Sequence, residues 1–285
     1  MSEASALLFP GQGSHVPRMR QAVERHRPEL LELACMEVGD DPFERVSDGT
    51  AYQQPAIYCA SLAGFTGLGE PEAGFVAGHS LGEFAALVAA GGLSAEDGLR
   101  LVALRGRLMQ RGAESSGAAG MVAVRAPVER AAAIADRTGL SLANDNSPQQ
   151  TVLSGPAEAL DAAIDAATRA GLRTKRLPVA GAFHSPAMDG AVPELAAALA
   201  AVEVRPPRVP VISAVTAAPF DDVRRRLAEG LTRPVRWRET LLALHERGVR
   251  RYLEVGPGKV LTGLVRKTLS GVRAESAEGL EGAHA

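Results

Sequence analysis

Cysteine is scarce. Among 285 residues only Cys35 and Cys59 carry thiols, and both sit in segments that read as helices. That excludes a disulfide-stapled secreted scaffold and fits a reducing compartment, so a cytoplasmic location is expected. The two thiols also lack the Cys/His spacing of a zinc site, and no metal is expected. An excess of charge of one sign is missing as well. Lys plus Arg number 31 against 33 Asp plus Glu, a formal charge of −2, which leaves no global field to attract nucleic acid. No apolar run approaches the roughly 20 residues that cross a bilayer. No basic segment leading into an apolar one marks a signal peptide at the start. What is present, 46% hydrophobic and 22% charged residues, is the balance of a globular protein with one large domain, or a large one and a small companion.

Periodicity divides the chain into two textures. The stretch "SALLFPGQGS" gives a short strand, Ala6–Phe9, and a turn; helical patterns follow over Leu31–Val38 and Gln54–Ala63, with Pro55 suited to a first helical turn. "AGFVAGHS" reads as a buried strand ending at Ser80, and "LGEFAALVAAGG" as a helix closed by Gly91–Gly92. From 118 to 187 the order becomes strand, helix, two strands, helix, strand, which is a ferredoxin-like unit. Its last strand is read from "LRTKRLPVAG". This predicts an α/β protein with a body built from 1–117 and 188–285 and an inserted small subdomain at 118–187. "VPVISAVT" and "RYLEVG" supply further body strands, and the polar tail after Ser270 is expected to fray.

"GHSLG", residues 78–82, is Gly-x-Ser-x-Gly between a strand and a helix. In that setting the glycines permit a sharp turn that exposes Ser80, and the following helix N-terminus offers N–H donors to a developing oxyanion. The same pentapeptide also serves as a plain turn. A serine nucleophile needs a base. His26 and His245 lie on charged helical segments, His284 is in the tail, and His79 is expected to point away from its neighbour. His184, in "AGAFHSPAM", starts a loop after an apolar strand and is the candidate. No Asp or Glu stands out as a third member, so a backbone carbonyl is expected to orient the imidazole. "GPGK" at 256–259 lacks P-loop spacing and reads as a strand–helix turn.

The helix "SAEDGLRLVALRGRLMQRG" raises a separate question. Ser94 caps it, Gly112 is placed to end it, and Leu101, Leu104 and Leu108 form an apolar stripe beside Val102 and Met109. Arg100, Arg107 and Arg111 fall on the opposite side, but Arg105 lands within the apolar arc. A buried guanidinium without a partner is very costly, so Arg105 meets either a carboxylate of the chain or an anion on a ligand. Lys and Arg also gather at 173–176, 224–226, 233–238 and 247–251. Each group is either a solvated face or part of a surface for an acidic partner.

Seven motifs in order, "LFPGQGS", "GHSLGEFAAL", "LRGRLMQ", "NSPQQTVLSG", "AFHS", "RPVRW" and "EVGPGKVLTGL", resemble the malonyl-CoA:acyl-carrier-protein transacylase family, which includes acyltransferases of fatty-acid and polyketide synthesis. They cover about residues 6–268. The resemblance implies an α/β-hydrolase-like body with a ferredoxin-like subdomain, Ser80 as nucleophile and His184 as general base. It implies an oxyanion hole from the backbone N–H groups of Gln12 and Leu81, and Arg105 as the partner of a malonyl carboxylate. It assigns the orienting carbonyl to Arg236. Phe183 would favour malonyl over methylmalonyl, although Gly181 stands where malonyl-selective members tend to carry His, and "GQGSH" replaces the usual Gly-Gln-Gly-Ser-Gln. The implied partners are a CoA thioester and the phosphopantetheine of an acyl carrier protein, with no bound cofactor, no nucleic acid, no membrane and a monomeric chain. An acyl-thioester hydrolase using the same Ser/His pair, a transferase for a substituted malonyl group, and a catalytically silent carrier-docking scaffold are the alternatives.

Overall fold

The computed structural model describes residues 4–278. The chain begins with strand β1 (Ala4–Phe9), helices α1 (Met19–His26), α2 (Pro28–Val38) and α3 (Thr50–Gly67), strand β2 (Phe75–Gly78), and helices α4 (Gly82–Ala89) and α5 (Ala95–Ser115). A second unit follows: β3 (Ala119–Val124), α6 (Val128–Thr138), β4 (Ser141–Ser147), β5 (Gln150–Pro156), α7 (Ala157–Arg169) and β6 (Thr174–Arg176). A 3₁₀ turn over Pro186–Ala191 leads into α8 (Val192–Ala201), β7 (Val211–Ser213), β8 (Ala218–Pro219), α9 (Val223–Glu229), α10 (Trp237–Glu246), β9 (Val249–Glu254), α11 (Val260–Thr268) and β10 (Arg273–Ser276).

The larger sheet has the order β10-β9-β1-β2-β7-β8, parallel throughout except for the short β7–β8 hairpin at its edge. Alternation along β1 divides the core. Leu7 and Phe9 face a layer holding Ile57 and Leu62 of α3 and Leu99 and Leu101 of α5, whereas Ala6 and Leu8 face Trp237 and Leu241 of α10 and Leu261 and Val265 of α11. Helices on both faces bury the central strands β1, β2 and β7 almost throughout, whereas the outer β8, β9 and β10 stay partly exposed.

The smaller sheet has the order β4-β5-β3-β6 and is antiparallel at every pairing. Numbered within the unit, that order is 2-3-1-4, the ferredoxin-like arrangement expected from the sequence. Val122, Val124 and Leu153 pack beneath α6 and α7 with Ile134 and Leu160. The opposite face presents Met121, Ala143 and Val152 to the core of the body. Both faces of the small sheet are therefore occupied, and one of them touches the larger layer.

Several local readings change. Pro55 lies inside α3 rather than in its first turn. The helix begins a turn earlier because Gly49 O accepts from Tyr52 and Gln53, and Gln110 Oε1, 59 residues away, accepts from Ala51 N at 3.1 Å. Gly112 does not end α5, which runs to Ser115; its missing side chain instead admits Met188, whose Cε would sit 3.0 Å from a Cβ there. The strand before His184 is only three residues long: Leu177 N still donates to Met121 O at 3.0 Å, and Pro178, which has no N–H, ends the pairing. Similarly β2 stops at Gly78, two residues before Ser80. Residues 273–276 form the edge strand β10 on β9 instead of fraying. His284 lies outside the described residues.

Candidate active site

Ser80 sits between the end of β2 and the start of α4 with φ of 53°. A Cβ on Gly78 would lie 2.0 Å from the carbonyl carbon of Gly82, and one on Gly82 2.1 Å from Phe9 O. No side chain fits either position, so the turn closes only with glycine at both. His184 is also left-handed, with φ of 57°. Such backbone costs a non-glycine residue about 1–2 kcal/mol, and the surrounding fold holds both reactive side chains in it.

The two side chains, 104 residues apart, meet with Ser80 Oγ 3.0 Å from His184 Nε2. On the far side of the ring, Nδ1 is 3.2 Å from the carbonyl oxygen of Arg233. A carbonyl only accepts, so this contact assigns the proton to Nδ1 and leaves the Nε2 lone pair facing the serine. The orienting carbonyl is thus Arg233's and not Arg236's. Arg236 caps α10, and its carbonyl accepts the backbone N–H of Thr240 and its hydroxyl at 3.0 Å. Burial, the Arg105 charge and then His79 push the protonation of His184 down to about 3.

Arg105 is 2% exposed. Its Nη1 donates to Gln54 Oε1 at 2.8 Å and its Nη2 to Ser80 Oγ at 2.9 Å. Among the described residues no carboxylate comes within ion-pair distance of it, which removes a structural ion pair as its explanation. Glu83 acts on it only from a distance. That carboxyl accepts the Ala214 N–H at 2.8 Å, and burial raises its protonation to about 7. Burial lowers Arg105 to about 10, so the guanidinium stays charged at neutral pH. Nothing in the sequence pattern marks Gln54, because it shares the buried side of α3 with the polar Thr50, Tyr58 and Ser61.

Gln12, Leu81, Arg105, Phe183, Ser80 and His184 line one cavity of about 540 Å³. Among the described residues, neither the Gln12 nor the Leu81 backbone N–H is taken up by another protein group. Phe183 is buried, and its ring lies 2.6 Å from where a Cβ on Gly181 would be, filling the space that side chain would need. Lys175 reaches the cavity wall, whereas exposed Arg176 pairs with Asp161. His79 turns away from Ser80: its Nε2 is 2.9 Å from Asn146 Oδ1 and its ring meets Trp237 edge-on at 5.4 Å. His26 ends α1 and His245 lies on α10, as expected. No group of three or more metal-ligating side chains occurs among the described residues, and no helix there is long and apolar enough to cross a membrane.

A strand–turn–helix serine paired with a carbonyl-oriented histidine is the equipment of acyl transfer to and from a hydroxyl. The chain belongs to the acyl transferase family, whose domain model matches residues 18–282. It is 36% identical over 283 residues to the malonyl CoA-acyl carrier protein transacylase of Synechocystis, covering 93% of each chain. It is 41% identical over 278 residues to the polyketide biosynthesis protein ThaF of Burkholderia thailandensis, covering 93% of this chain but spanning only 24% of that protein. Among solved structures, the malonyl-CoA:acyl carrier protein transacylase of Xanthomonas oryzae superposes with a TM-score of 0.90 at 34% identity, covering 99% of this chain and 98% of the other.

A histidine can serve as a base only while neutral. With the protonation of His184 pushed down to about 3, labelling of Ser80 by a fluorophosphonate should stay nearly flat from about pH 8 to about pH 5. Arg105→Met removes a nearby positive charge, so the imidazole binds its proton more readily and the acid limb moves to higher pH. Acid limbs at the same pH in both proteins would contradict that coupling.

Proposed function

We propose that the protein transfers a malonyl group from malonyl-CoA to the phosphopantetheine thiol of an acyl carrier protein through an ester on Ser80. The observation that carries this reading is the buried Arg105 cation, which lacks a carboxylate partner and donates to the nucleophile's own oxygen. A group on Ser80 that ends in a carboxylate two carbons from its ester carbonyl brings that anion within reach of the guanidinium, which can grip it with two parallel hydrogen bonds. A simple acyl group offers that cation no carboxylate to pair with.

The steps follow from the atoms in place. Ser80 Oγ attacks the thioester carbonyl while His184 Nε2 takes its proton, and the Arg233 carbonyl stabilises the imidazolium through Nδ1–H. The Gln12 and Leu81 N–H groups receive the oxyanion. Collapse breaks the C–S bond, and His184 returns the proton to the departing CoA sulfur. In the second half the carrier thiol gives its proton to His184, attacks the ester and releases Ser80 with that proton. Phe183 stands beside the acyl site, and its ring crowds an α-substituent, which favours malonyl over methylmalonyl.

Truncating one member of a buried charge pair costs about 2–5 kcal/mol, or roughly 30- to several-thousand-fold. Arg105→Ala should therefore lower kcat/KM for malonyl-CoA by that order while acetyl-CoA falls little or rises, with Arg105→Lys a partial rescue. In the same assay Phe183→Ala should raise methylmalonyl-CoA relative to malonyl-CoA. An unchanged malonyl-to-acetyl ratio in Arg105→Ala removes the basis of the assignment.

We infer further that the carrier docks beside the cavity mouth, between the small unit and the body, with Arg173, Lys175 or Arg176 among the contributors. All three are exposed on or next to β6, and Lys175 lies in the cavity wall. Attraction between exposed charges is screened by salt. Raising ionic strength should raise KM for the carrier more than KM for malonyl-CoA, and equal responses would exclude this surface.

A further inference from the structure

The segment that carries the orienting carbonyl is not anchored by the body alone. Towards the body, Arg233 N donates to Glu229 O at 2.9 Å and Arg236 N to Ala214 O at 2.7 Å. Towards the small sheet, Val235 N donates to Ala143 O at 2.8 Å and Asp145 N to Val235 O at 2.9 Å, forming a one-residue parallel bridge between β4 and the segment. Beside that bridge, Arg238 in the first turn of α10 grips Asp145. Its Nε lies 2.9 and 3.1 Å from the two carboxylate oxygens, and its Nη2 lies 2.8 Å from Oδ2. The Asp145 side chain is only 4% exposed. A buried carboxylate engaged on both oxygens by one Nε, with a second guanidinium nitrogen at ion-pair distance, is fixed in direction as well as distance, unlike the protein's many exposed pairs, which contribute little.

We propose that Asp145 and Arg238 are positioning residues for His184, stapling strand β4 of the ferredoxin-like sheet to the 233–236 segment and so fixing the carbonyl that holds the base. This rests on the reading of His184 as the base. The contact it protects, 3.2 Å from Nδ1 to Arg233 O, is already at the long end of the ordinary hydrogen-bond range, so a shift of a few tenths of an ångström weakens it. The same strand steadies the nucleophile's side of the site. Asn146, next to Asp145, meets His79, whose backbone leads directly into Ser80, and the His79 ring packs against Trp237, next to Arg238. One strand of the small sheet thereby references both halves of the catalytic pair, and the staple joins two parts of the chain 93 residues apart. The functional consequence is specific. Neither Asp145 nor Arg238 lines the substrate cavity, and of the residues that β4 holds only Asn144 and His79 reach its wall, so losing the staple acts on the geometry of proton transfer before substrate binding.

The test uses the full chain with Asp145→Asn, Arg238→Gln and the double variant, assayed well below their melting temperatures. Two rates are read: Ser80 labelling by a fluorophosphonate, which needs no acyl substrate, and single-turnover acylation by malonyl-CoA. Each single variant should lose about 10-fold or more in both rates, as expected of a small misplacement of a catalytic group, with KM for malonyl-CoA nearly unchanged. The double variant should be no slower than the slower single one, since the two side chains act as a unit. A wild-type labelling rate in Arg238→Gln, losses that multiply in the double variant, or a loss carried by KM would overturn the proposal. The base itself is checked separately. If His184→Ala labels as fast as wild type, the reading of the site fails. If His184→Ala is inert and Arg238→Gln is normal, only the staple fails.

Discussion

A permanent cation held against Ser80 Oγ, almost wholly buried at the wall of the cavity, is the constraint around which this site is built. Burying Arg105 without a counter-carboxylate is unfavourable, and the fold tolerates it through two neutral acceptors, Gln54 Oε1 and Ser80 Oγ. The consequences spread outward. The charge helps to hold His184 neutral. It also leaves a guanidinium with donors to spare in the one cavity where Ser80 and His184 converge. Under the proposed function, an acyl group that brings its own carboxylate would complete the ion pair the protein omits, which would give selectivity and the cost of burial a single origin.

The second feature is how few contacts relate the two sheets to the chemistry. The body supplies the serine turn, the arginine helix and the segment around Arg233. The small sheet supplies β4, which bonds that segment and, through Asn146, the residue before the nucleophile. A left-handed backbone at both Ser80 and His184 needs support from outside each turn, and β4 is one element that reaches both sides. The ferredoxin-like unit is in this view part of the frame of the active site as well as a wall of its cavity.

Much of this was legible in the sequence, and for identifiable reasons. Periodicity marked the α/β body and the six elements of the inserted unit, because both are covered on well-defined faces by apolar side chains, but not that the body's strands run parallel. The serine turn was legible because Gly78 and Gly82 flank Ser80 between a strand pattern and a helix pattern, a setting that a plain turn shares only by chance. Arg105 was legible as an anomaly within an apolar arc, though its neighbours were not. What failed depended on contacts between distant residues. Gln110 starts α3 a turn early from across the core, Met188 fills the notch at Gly112, and the His184 partner is Arg233 rather than Arg236. The last error has a plain cause: the "RPVRW" motif lies at the entrance to α10, where Arg236 O is consumed by the helix itself, and no sequence pattern marks which carbonyl of the preceding turn is left free.

The measurement that bears most directly on this account is mass analysis of the protein after brief exposure to malonyl-CoA, followed by addition of a carrier protein bearing its phosphopantetheine arm. The account predicts a mass gain of one malonyl group, mapped to the peptide containing Ser80, absent from Ser80→Ala, and removed when the carrier arrives and becomes malonylated. An adduct that persists in Ser80→Ala, or one on Ser80 that is lost to water as fast without the carrier as with it, would contradict it.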